Sequence, residues 1–217
     1  ERSRVNMNDA QQNFPEKLKA CWHPVSYSIE IKKEKPLGTF LLDEALVIWR
    51  TSDGSVHAMR DICIHRGTAL SLGWIKYDCL VCPYHAWEYN NKGACVFIPQ
   101  APDIEIPKKA KTPTYYCIEK YGLVWVALEK PLYQLPEIPE YNDKEWKFVN
   151  TGPFDWKSAS SRQLENFTDF GHFPWVHPGL LGDPERPEVP ECKVMVKDRV
   201  LHYEIVRPEA TNTEDFP

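Results

Sequence analysis

The chain contains 217 residues, of which 42% are hydrophobic and 12% are aromatic, so it can bury one large core or two modest ones. Its formal net charge is -5, and it has no run of about five or more lysines and arginines, which excludes nucleic acid as the main partner. It has no stretch of roughly eighteen consecutive apolar residues, which excludes a membrane span, and we expect a soluble, cytoplasmic protein.

The first part of the chain predicts an antiparallel all-β domain. Residues 1–19 are polar and charged and predict an N-terminal arm without chemistry. The dipeptide Asp53-Gly54 between residues 46–50 and 56–59 predicts a hairpin, because such dipeptides favour hairpin turns. Short segments that alternate polar and apolar side chains predict strands at residues 26–31, 39–42, 46–50 and 56–59.

Two pairs of metal-binding side chains follow these strands. Cys63 and His65 form the first pair, and Cys82 and His85 form the second, with sixteen residues between His65 and Cys82. Short turns can aim thiolates and imidazoles at one point without ordering a long loop. Structural zinc sites usually pair Cys with Cys and His with His. The mixed order favours a 2Fe-2S cluster, in which one iron binds both thiolates and the other both imidazoles. A zinc-bearing interaction domain is the alternative.

This pattern resembles the Cys-x-His-x16-Cys-x2-His motif of Rieske proteins. The resemblance implies that Cys63 and Cys82 bind one iron of a Rieske-type 2Fe-2S cluster, and that His65 and His85 bind the other. It also implies that residues 20–135 form an all-β Rieske domain.

Three positions beside the ligands distinguish subtypes of Rieske protein. Thr68 and Tyr84 stand where the respiratory type carries two disulfide-forming cysteines, and Trp87 stands where that type has a serine that donates to a cluster sulfur. Fewer hydrogen bonds to the sulfurs imply a low reduction potential, which suits oxygen chemistry. Related oxygenases usually have glycine at the position of Ala86. If this position requires a positive φ, alanine costs about 1 kcal/mol there.

The rest of the first domain predicts further strands around turns. Residues 87–89 and 94–98 flank a glycine-containing turn and predict a hairpin, and residues 122–128 predict a buried closing strand. Pro131, Pro136 and Pro139 mark a stiff connector. The cysteines outside the motif are expected to be free thiols in a reducing compartment: Cys21, Cys79, Cys95, Cys117 and Cys192.

A second group of metal-binding residues follows the connector. Residues 156–170 contain neither glycine nor proline and predict a helix, on which Asp169 and His172 would share a face. Pro174 would bend or end that helix, which lets His177 return beside His172. Two imidazoles with open positions match two thirds of the facial triad of non-haem Fe(II) oxygenases. The alternative is a pair of core histidines among aromatic side chains.

Together with the upstream motif, this segment resembles the large, or α, subunit of Rieske non-haem iron oxygenases, which carries Asp-x-x-His-x4-His. The resemblance implies that His172 and His177 bind a mononuclear Fe(II), and that Asp169 bridges His172 to the cluster ligand His85 of an adjacent subunit. It implies a head-to-tail homotrimer. It also implies three further partners, namely a reductase that passes electrons from NAD(P)H to the cluster, O2 and a small organic substrate.

The second domain, residues 136–217, is expected to be incomplete. Residues 193–196 and 200–206 predict a hairpin, but one helix and one hairpin cannot enclose a substrate. In the family that the chain resembles, an antiparallel sheet and a long helix complete a helix-grip domain, which also supplies the carboxylate ligand of the iron. No acid here matches that ligand, so we expect it beyond residue 217. The expected fold class is α+β, an all-β Rieske domain followed by the start of the catalytic domain.

These resemblances imply the function of an oxygenase component. Such a mono- or dioxygenase hydroxylates or oxidatively demethylates a small organic substrate, aromatic or heterocyclic, with electrons from the reductase. The sequence of residues 165–169, Glu-Asn-Phe-Thr-Asp, is similar to that of the oxygenase components of N- and O-demethylases. A Rieske ferredoxin-like electron carrier is the alternative, and the second domain with its histidine pair argues against it.

Overall fold

The structure, a computed structural model, describes residues 16–149, 151–152, 154–197 and 200–206. Most of the predicted N-terminal arm lies outside these residues. The chain divides into two compact units, Glu1–Phe148 and Val149–Pro217. The domain boundary predicted at residue 135 stays a prediction. Within the described residues, every helix is too short or too polar to cross a membrane.

The first unit is built from antiparallel strands in two sheets. The six-stranded sheet has the order β1, β10, β9, β4, β3, β2, and the four-stranded sheet has the order β5, β6, β7, β8. The strands are β1 (His23–Tyr27), β2 (Leu37–Leu41), β3 (Glu44–Arg50), β4 (Val56–Arg60), β5 (Trp74–Lys76), β6 (Cys79–Val81), β7 (Glu88–Tyr89), β8 (Cys95–Phe97), β9 (Thr114–Lys120) and β10 (Leu123–Ala127).

Strand β3 is buried on both faces and joins two apolar cores. Its alternate residues Val47 and Trp49 face a core that also contains Cys63 and Cys82, whereas Leu46 and Ile48 belong to a second core. The side chains of these four residues have no exposed surface. A strand buried on both faces reads as a continuous apolar run, which explains the sequence Leu-Val-Ile-Trp. The predicted metal-binding cysteines therefore lie against the best-buried element of the unit.

The hairpins that carry glycine turns were predicted correctly. Strands β3 and β4 pair around Asp53-Gly54, and β7 and β8 pair around residues 90–93. The pair β5 and β6 was missed, because its turn residues Tyr77 and Asp78 are not glycine yet have φ values of 48 and 66. The predicted strand at 26–31 was wrong beyond Tyr27. There the Glu30 carboxylate accepts a hydrogen bond from Tyr27 N at 2.9 Å and closes a 3₁₀ turn at Ser28–Glu30.

The described residues of the second unit form two short helices and a hairpin. They are α1 (Ser160–Thr168), α2 (Phe173–Val176), β11 (Lys193–Lys197) and β12 (Val200–Glu204). The predicted hairpin is confirmed by the antiparallel pairing of β11 with β12. The predicted helix at 156–170 is too long at its start. Ser158 N donates to the Trp156 carbonyl at 2.8 Å, and a bond between residues two apart cannot belong to an α-helix.

Arg50 at the end of β3 generates a prediction about stability. Its guanidinium makes two hydrogen bonds to the Glu119 carboxylate, at 2.7 and 2.9 Å, and also donates to the Gly54 carbonyl at 2.7 Å and the Ser28 carbonyl at 3.1 Å. Lysine cannot form this fork. We expect Arg50→Lys to lower the free energy of unfolding by about 1–3 kcal/mol in urea denaturation.

Arg162 provides the matched control for this substitution, because its ion pair with Glu165 is highly exposed. Arg162→Lys is expected to change the free energy of unfolding by less than about 0.5 kcal/mol. Equal losses in the two variants would contradict the anchoring role of Arg50.

Candidate functional site

The first predicted ligand pair lies on a tight turn after β4. Gly67 N donates to the Cys63 carbonyl at 2.9 Å, and Cys63 N donates to the Thr68 carbonyl at 2.8 Å. Gly67 has a φ of 76, in the left-handed region that glycine adopts without cost. This frame buries Cys63 and leaves His65 half-buried.

The second pair lies on a turn with the same hydrogen-bond pattern, which begins directly after β6. Ala86 N donates to the Cys82 carbonyl at 2.9 Å, and Cys82 N donates to the Trp87 carbonyl at 2.9 Å. Ala86 has a φ of 56, so the condition stated from the sequence is met and this alanine occupies a strained position. Cys82 is buried and His85 is half-buried.

The two turns bring the four predicted cluster ligands together. The rings of His65 and His85 have their centroids 4.6 Å apart. The Nδ1 atoms of both rings are buried and have no hydrogen-bond partner among the described residues. A buried polar atom without a partner costs free energy unless a ligand supplies one. Iron bound to both nitrogens would supply it, so the residues fit a 2Fe-2S cluster.

The sulfur side of the site agrees with the same cofactor. Cys63 and Cys82 are 2% and 1% exposed, and burial raises the pKa of the Cys82 thiol, while backbone N–H groups of Tyr84 and His85 oppose the rise. Within the described parts of the chain, no three Cys, His, Asp or Glu side chains surround a single metal position. A Rieske cluster takes two protein ligands per iron, and this site offers two cysteines and two histidines.

Tyr89 is a residue of this site that the sequence reasoning missed. Its side chain is fully buried, and its hydroxyl lies 3.1 Å from Cys63 Sγ. Ile64 N donates to the same hydroxyl oxygen at 3.3 Å, so the hydroxyl hydrogen is left for the sulfur. Burial raises the pKa of Tyr89, so the hydroxyl stays protonated. The available signal was a tyrosine on a buried strand, whose hydroxyl needs a partner.

Aromatic rings flank both candidate histidine ligands. The Trp87 indole stacks on the His65 ring, with centroids 4.4 Å apart and parallel planes. The Tyr84 ring lies 4.0 Å from the His85 ring at an angle of 43°. Trp87, which the sequence marked only by the absence of a serine donor, therefore restricts the orientation of His65 and covers one of its faces.

The second predicted site forms at the junction of α1 and α2. The rings of His172 and His177 have their centroids 5.5 Å apart, and His172 Nδ1 lies 3.5 Å from Asp169 Oδ2. The expectation that Asp169 and His172 share a helix face was wrong, because Asp169 is the extended residue that ends α1. Pro174 does not break a longer helix. It lies in the first turn of α2, where its missing N–H is not needed.

A single helical turn is thus enough to bring the two histidines together. His172 is the residue before α2 and His177 the residue after it, and His177 N donates to the Phe173 carbonyl at 3.0 Å. Two half-buried imidazoles with a carboxylate beside one of them form a donor set that suits ferrous iron. The described residues place no third metal ligand with them. The assignment of ligands at both sites stays a prediction.

Two family models match the chain in the same order as the two sites. Residues 21–116 match the Rieske [2Fe-2S] domain, and residues 156–214 match the vanillate O-demethylase oxygenase C-terminal domain. The chain belongs to the Rieske oxygenase family. This result confirms the family prediction, the α+β fold class and the 2Fe-2S cofactor. It supports the oxygenase prediction over the electron-carrier and zinc alternatives.

Relatives within the Rieske oxygenases include two demethylases of Pseudomonas putida. Methylxanthine N1-demethylase NdmA is 42% identical over 183 residues, which are 81% of this chain and 52% of the relative. Methylxanthine N3-demethylase NdmB is 35% identical over 202 residues, which are 88% of this chain and 57% of the relative. The structure of NdmA with caffeine matches 91% of this chain and 59% of that one, with 37% identity and a TM-score of 0.85. The chain therefore spans about half the length of these relatives.

Ala86 generates a prediction about the Rieske domain. Glycine at this position relieves the cost of a positive φ, so we expect Ala86→Gly to raise the free energy of unfolding by about 1 kcal/mol. Thermal unfolding of the iron-loaded protein measures the change. Ala45→Gly in β3 is the control, and it is expected to destabilise by about 0.5–1 kcal/mol because glycine weakens an ordinary strand. Equal destabilisation by both substitutions would show that Ala86 is unstrained.

Tyr89 generates a prediction about the reduction potential. A hydrogen bond to Cys63 Sγ strengthens when the sulfur gains negative charge, so its loss in Tyr89→Phe should lower the potential. A bond of about 0.5–1.5 kcal/mol corresponds to roughly 20–60 mV for one electron. A redox titration followed by EPR measures this shift. Tyr115→Phe, which removes a hydrogen bond to Glu44, should leave the potential unchanged. No shift in Tyr89→Phe would exclude the predicted role.

Proposed function

We propose that the full-length protein is the oxygenase component of a Rieske-type system. It would use O2 and electrons from a reductase to hydroxylate or oxidatively demethylate a small aromatic or heterocyclic substrate. The observation that carries the proposal is that one chain holds both donor sets. The first is the group of two cysteines and two histidines, in which the Nδ1 atoms of His65 and His85 have no hydrogen-bond partner in the described part of the chain. The second is the histidine pair whose ring centroids lie 5.5 Å apart. The demethylases and monooxygenases among its relatives support it.

The cofactors are assigned to named residues. Cys63 and Cys82 would hold one iron of the cluster and His65 and His85 the other, while His172 and His177 would hold the mononuclear Fe(II). When bound, the cluster supplies electrons one at a time and the Fe(II) activates O2. The remaining Fe(II) ligand is proposed to be a carboxylate.

Asp169 has two roles in the proposal. Within the chain, its Oδ2 lies 3.5 Å from His172 Nδ1, and its Oδ1 accepts a hydrogen bond from Gly171 N at 2.8 Å. A carboxylate beside Nδ1 favours the tautomer that carries the proton there, which leaves Nε2 of His172 to bind the metal. Between subunits, Asp169 would connect His172 to the cluster ligand His85 of an adjacent subunit in a homotrimer.

We propose an N-methylated heterocycle as the substrate class. Two related proteins are named methylxanthine demethylases, and two solved structures of one of them contain caffeine. In this reaction, one oxygen atom of O2 is inserted into a C–H bond of the N-methyl group. The other oxygen atom is reduced to water by two electrons and two protons. The N-hydroxymethyl product then breaks its C–N bond, which yields the demethylated amine and formaldehyde.

The proposed location is the cytoplasm. The proposed electron donor is an NAD(P)H-dependent reductase, and neither nucleic acid nor a membrane is proposed as a partner. The five cysteines outside the ligand motif are free thiols. Free thiols persist in a reducing compartment, which supports this location.

The proposed function predicts the behaviour of Asp169→Asn. The full-length wild-type protein is expected to contain about three irons per chain, two in the cluster and one mononuclear. The variant should keep this iron content, because Asp169 is not a ligand. It should lose product formation by on the order of 100-fold in single turnovers of the pre-reduced protein with caffeine and O2.

Asp183→Asn is the control, since Asp183 pairs with Arg186 in a loop and has no assigned role. It should retain wild-type product formation. Normal turnover in Asp169→Asn would contradict the bridging role, and a wild-type content of two irons per chain would favour the electron carrier instead.

A further inference from the structure

The second ligand turn requires a restraint that the first does not. In both turns, the residue that donates to the cysteine carbonyl has a positive φ, 76 at Gly67 and 56 at Ala86. Glycine enters this region freely, whereas the Cβ of alanine meets the neighbouring carbonyl oxygen. The chain must therefore hold Ala86 in a conformation that it does not prefer.

The peptide group between His85 and Ala86 is fixed at both of its polar atoms. Its N–H donates to the Cys82 carbonyl at 2.9 Å, and its carbonyl oxygen accepts a hydrogen bond from Gln100 Nε2 at 2.9 Å. A peptide group is planar, so restraining both atoms restrains the rotation of the plane. That rotation sets ψ of His85 and φ of Ala86 together.

Gln100 projects from a turn that is itself anchored. Ala101 N donates to the Ile98 carbonyl at 3.0 Å, which closes the chain around Gln100. The Ile98 side chain packs against the core that contains Cys63 and Cys82. The exposed side chain of Gln100 therefore extends from a turn that is anchored by Ile98 on the core that contains the two cysteines.

We propose that Gln100 is a positioning residue of the cluster site. It holds the His85–Ala86 peptide in the orientation that a left-handed alanine needs, and thereby fixes the His85 ring beside His65. The proposal deepens the proposed function and rests on His85 being a cluster ligand. A change in ψ of His85 would alter the path of the turn that runs from Cys82 to Trp87, and with it the position of the His85 ring, whose centroid lies 4.6 Å from that of His65. The restraint becomes unnecessary when residue 86 is glycine.

A double-mutant cycle on the full-length, iron-loaded protein tests the proposal. Gln100→Met keeps a side chain of similar length but removes the donor. The measurements are the rate of cluster loss to excess ferrozine and the EPR g-values of the dithionite-reduced cluster. We expect cluster loss to be about five- to tenfold faster in Gln100→Met, but less than about twofold faster when the substitution is made in Ala86→Gly. The g-values should shift in Gln100→Met and return towards those of the wild type in the double variant.

Several outcomes would overturn the proposal. One is that Gln100→Met shows the wild-type rate of cluster loss and the wild-type g-values. Another is that the substitution accelerates cluster loss equally with alanine and with glycine at position 86. A third is faster cluster loss with unchanged g-values, which indicates general destabilisation. If Gln100→Met retains no cluster, recovery of the cluster in the double variant supports the proposal and failure to recover overturns it. The control is Gln134→Met, at an exposed glutamine of the connector, which should match the wild type. A wild-type protein without a Rieske EPR signal would instead contradict the proposed function.

Discussion

The cluster site depends on one backbone hydrogen bond that occurs twice. In each ligand turn, the N–H of the residue four positions after the cysteine donates to the cysteine carbonyl. This bond makes the turn tight enough for a thiol and an imidazole, two or three residues apart, to face the same region. It also forces the donor residue, Gly67 or Ala86, into the left-handed conformation. The positions of the four candidate ligands within their turns depend on this constraint.

The turns keep their positions because they rest on a well-packed core. Val47 and Trp49 of β3 pack with Cys63 and Cys82, and they have no exposed surface. The same burial removes the Nδ1 atoms of His65 and His85 from water, and neither atom has a hydrogen-bond partner among the described residues, which costs free energy. Iron binding removes this cost, so formation of the site and folding of the domain are thermodynamically coupled.

The candidate ligands could be identified from the sequence because the two members of each pair are related by local geometry. Cys63 with His65, Cys82 with His85, and His172 with His177 each lie within one turn of chain, so spacing alone brings each pair together. The supporting residues could not be predicted in this way. Tyr89 reaches Cys63 across 26 residues and Gln100 reaches His85 across 15, and contacts of this kind depend on the packing of separate strands and loops.

The difference between local and long-range interactions also explains the errors in the predicted secondary structure. Glycine turns identified the hairpins at Asp53-Gly54 and residues 90–93, because glycine has a local preference for their backbone angles. The turn at Tyr77 and Asp78 has positive φ without glycine. Its conformation is held by non-local bonds, in which Ser52 N and Oγ donate to the Asp78 carboxylate at 2.6 and 2.8 Å. The backbone preferences of Tyr77 and Asp78 do not predict such a turn, so β5 and β6 were not predicted.

The hydrogen bonds at the sulfurs refine the expectation of a low potential. Two kinds of donor reach the cysteines: backbone N–H groups of Tyr84 and His85 at Cys82, and the Tyr89 hydroxyl at Cys63. The backbone donors are a consequence of the turn and do not vary with side-chain identity, whereas the hydroxyl is lost with a single substitution. The donor that this chain lacks, a serine at the position of Trp87, would act on a cluster sulfur instead of a cysteine. A low reduction potential would therefore result from the missing hydrogen bond to a sulfur of the cluster itself. The Tyr89 hydroxyl would raise the potential through its hydrogen bond to Cys63.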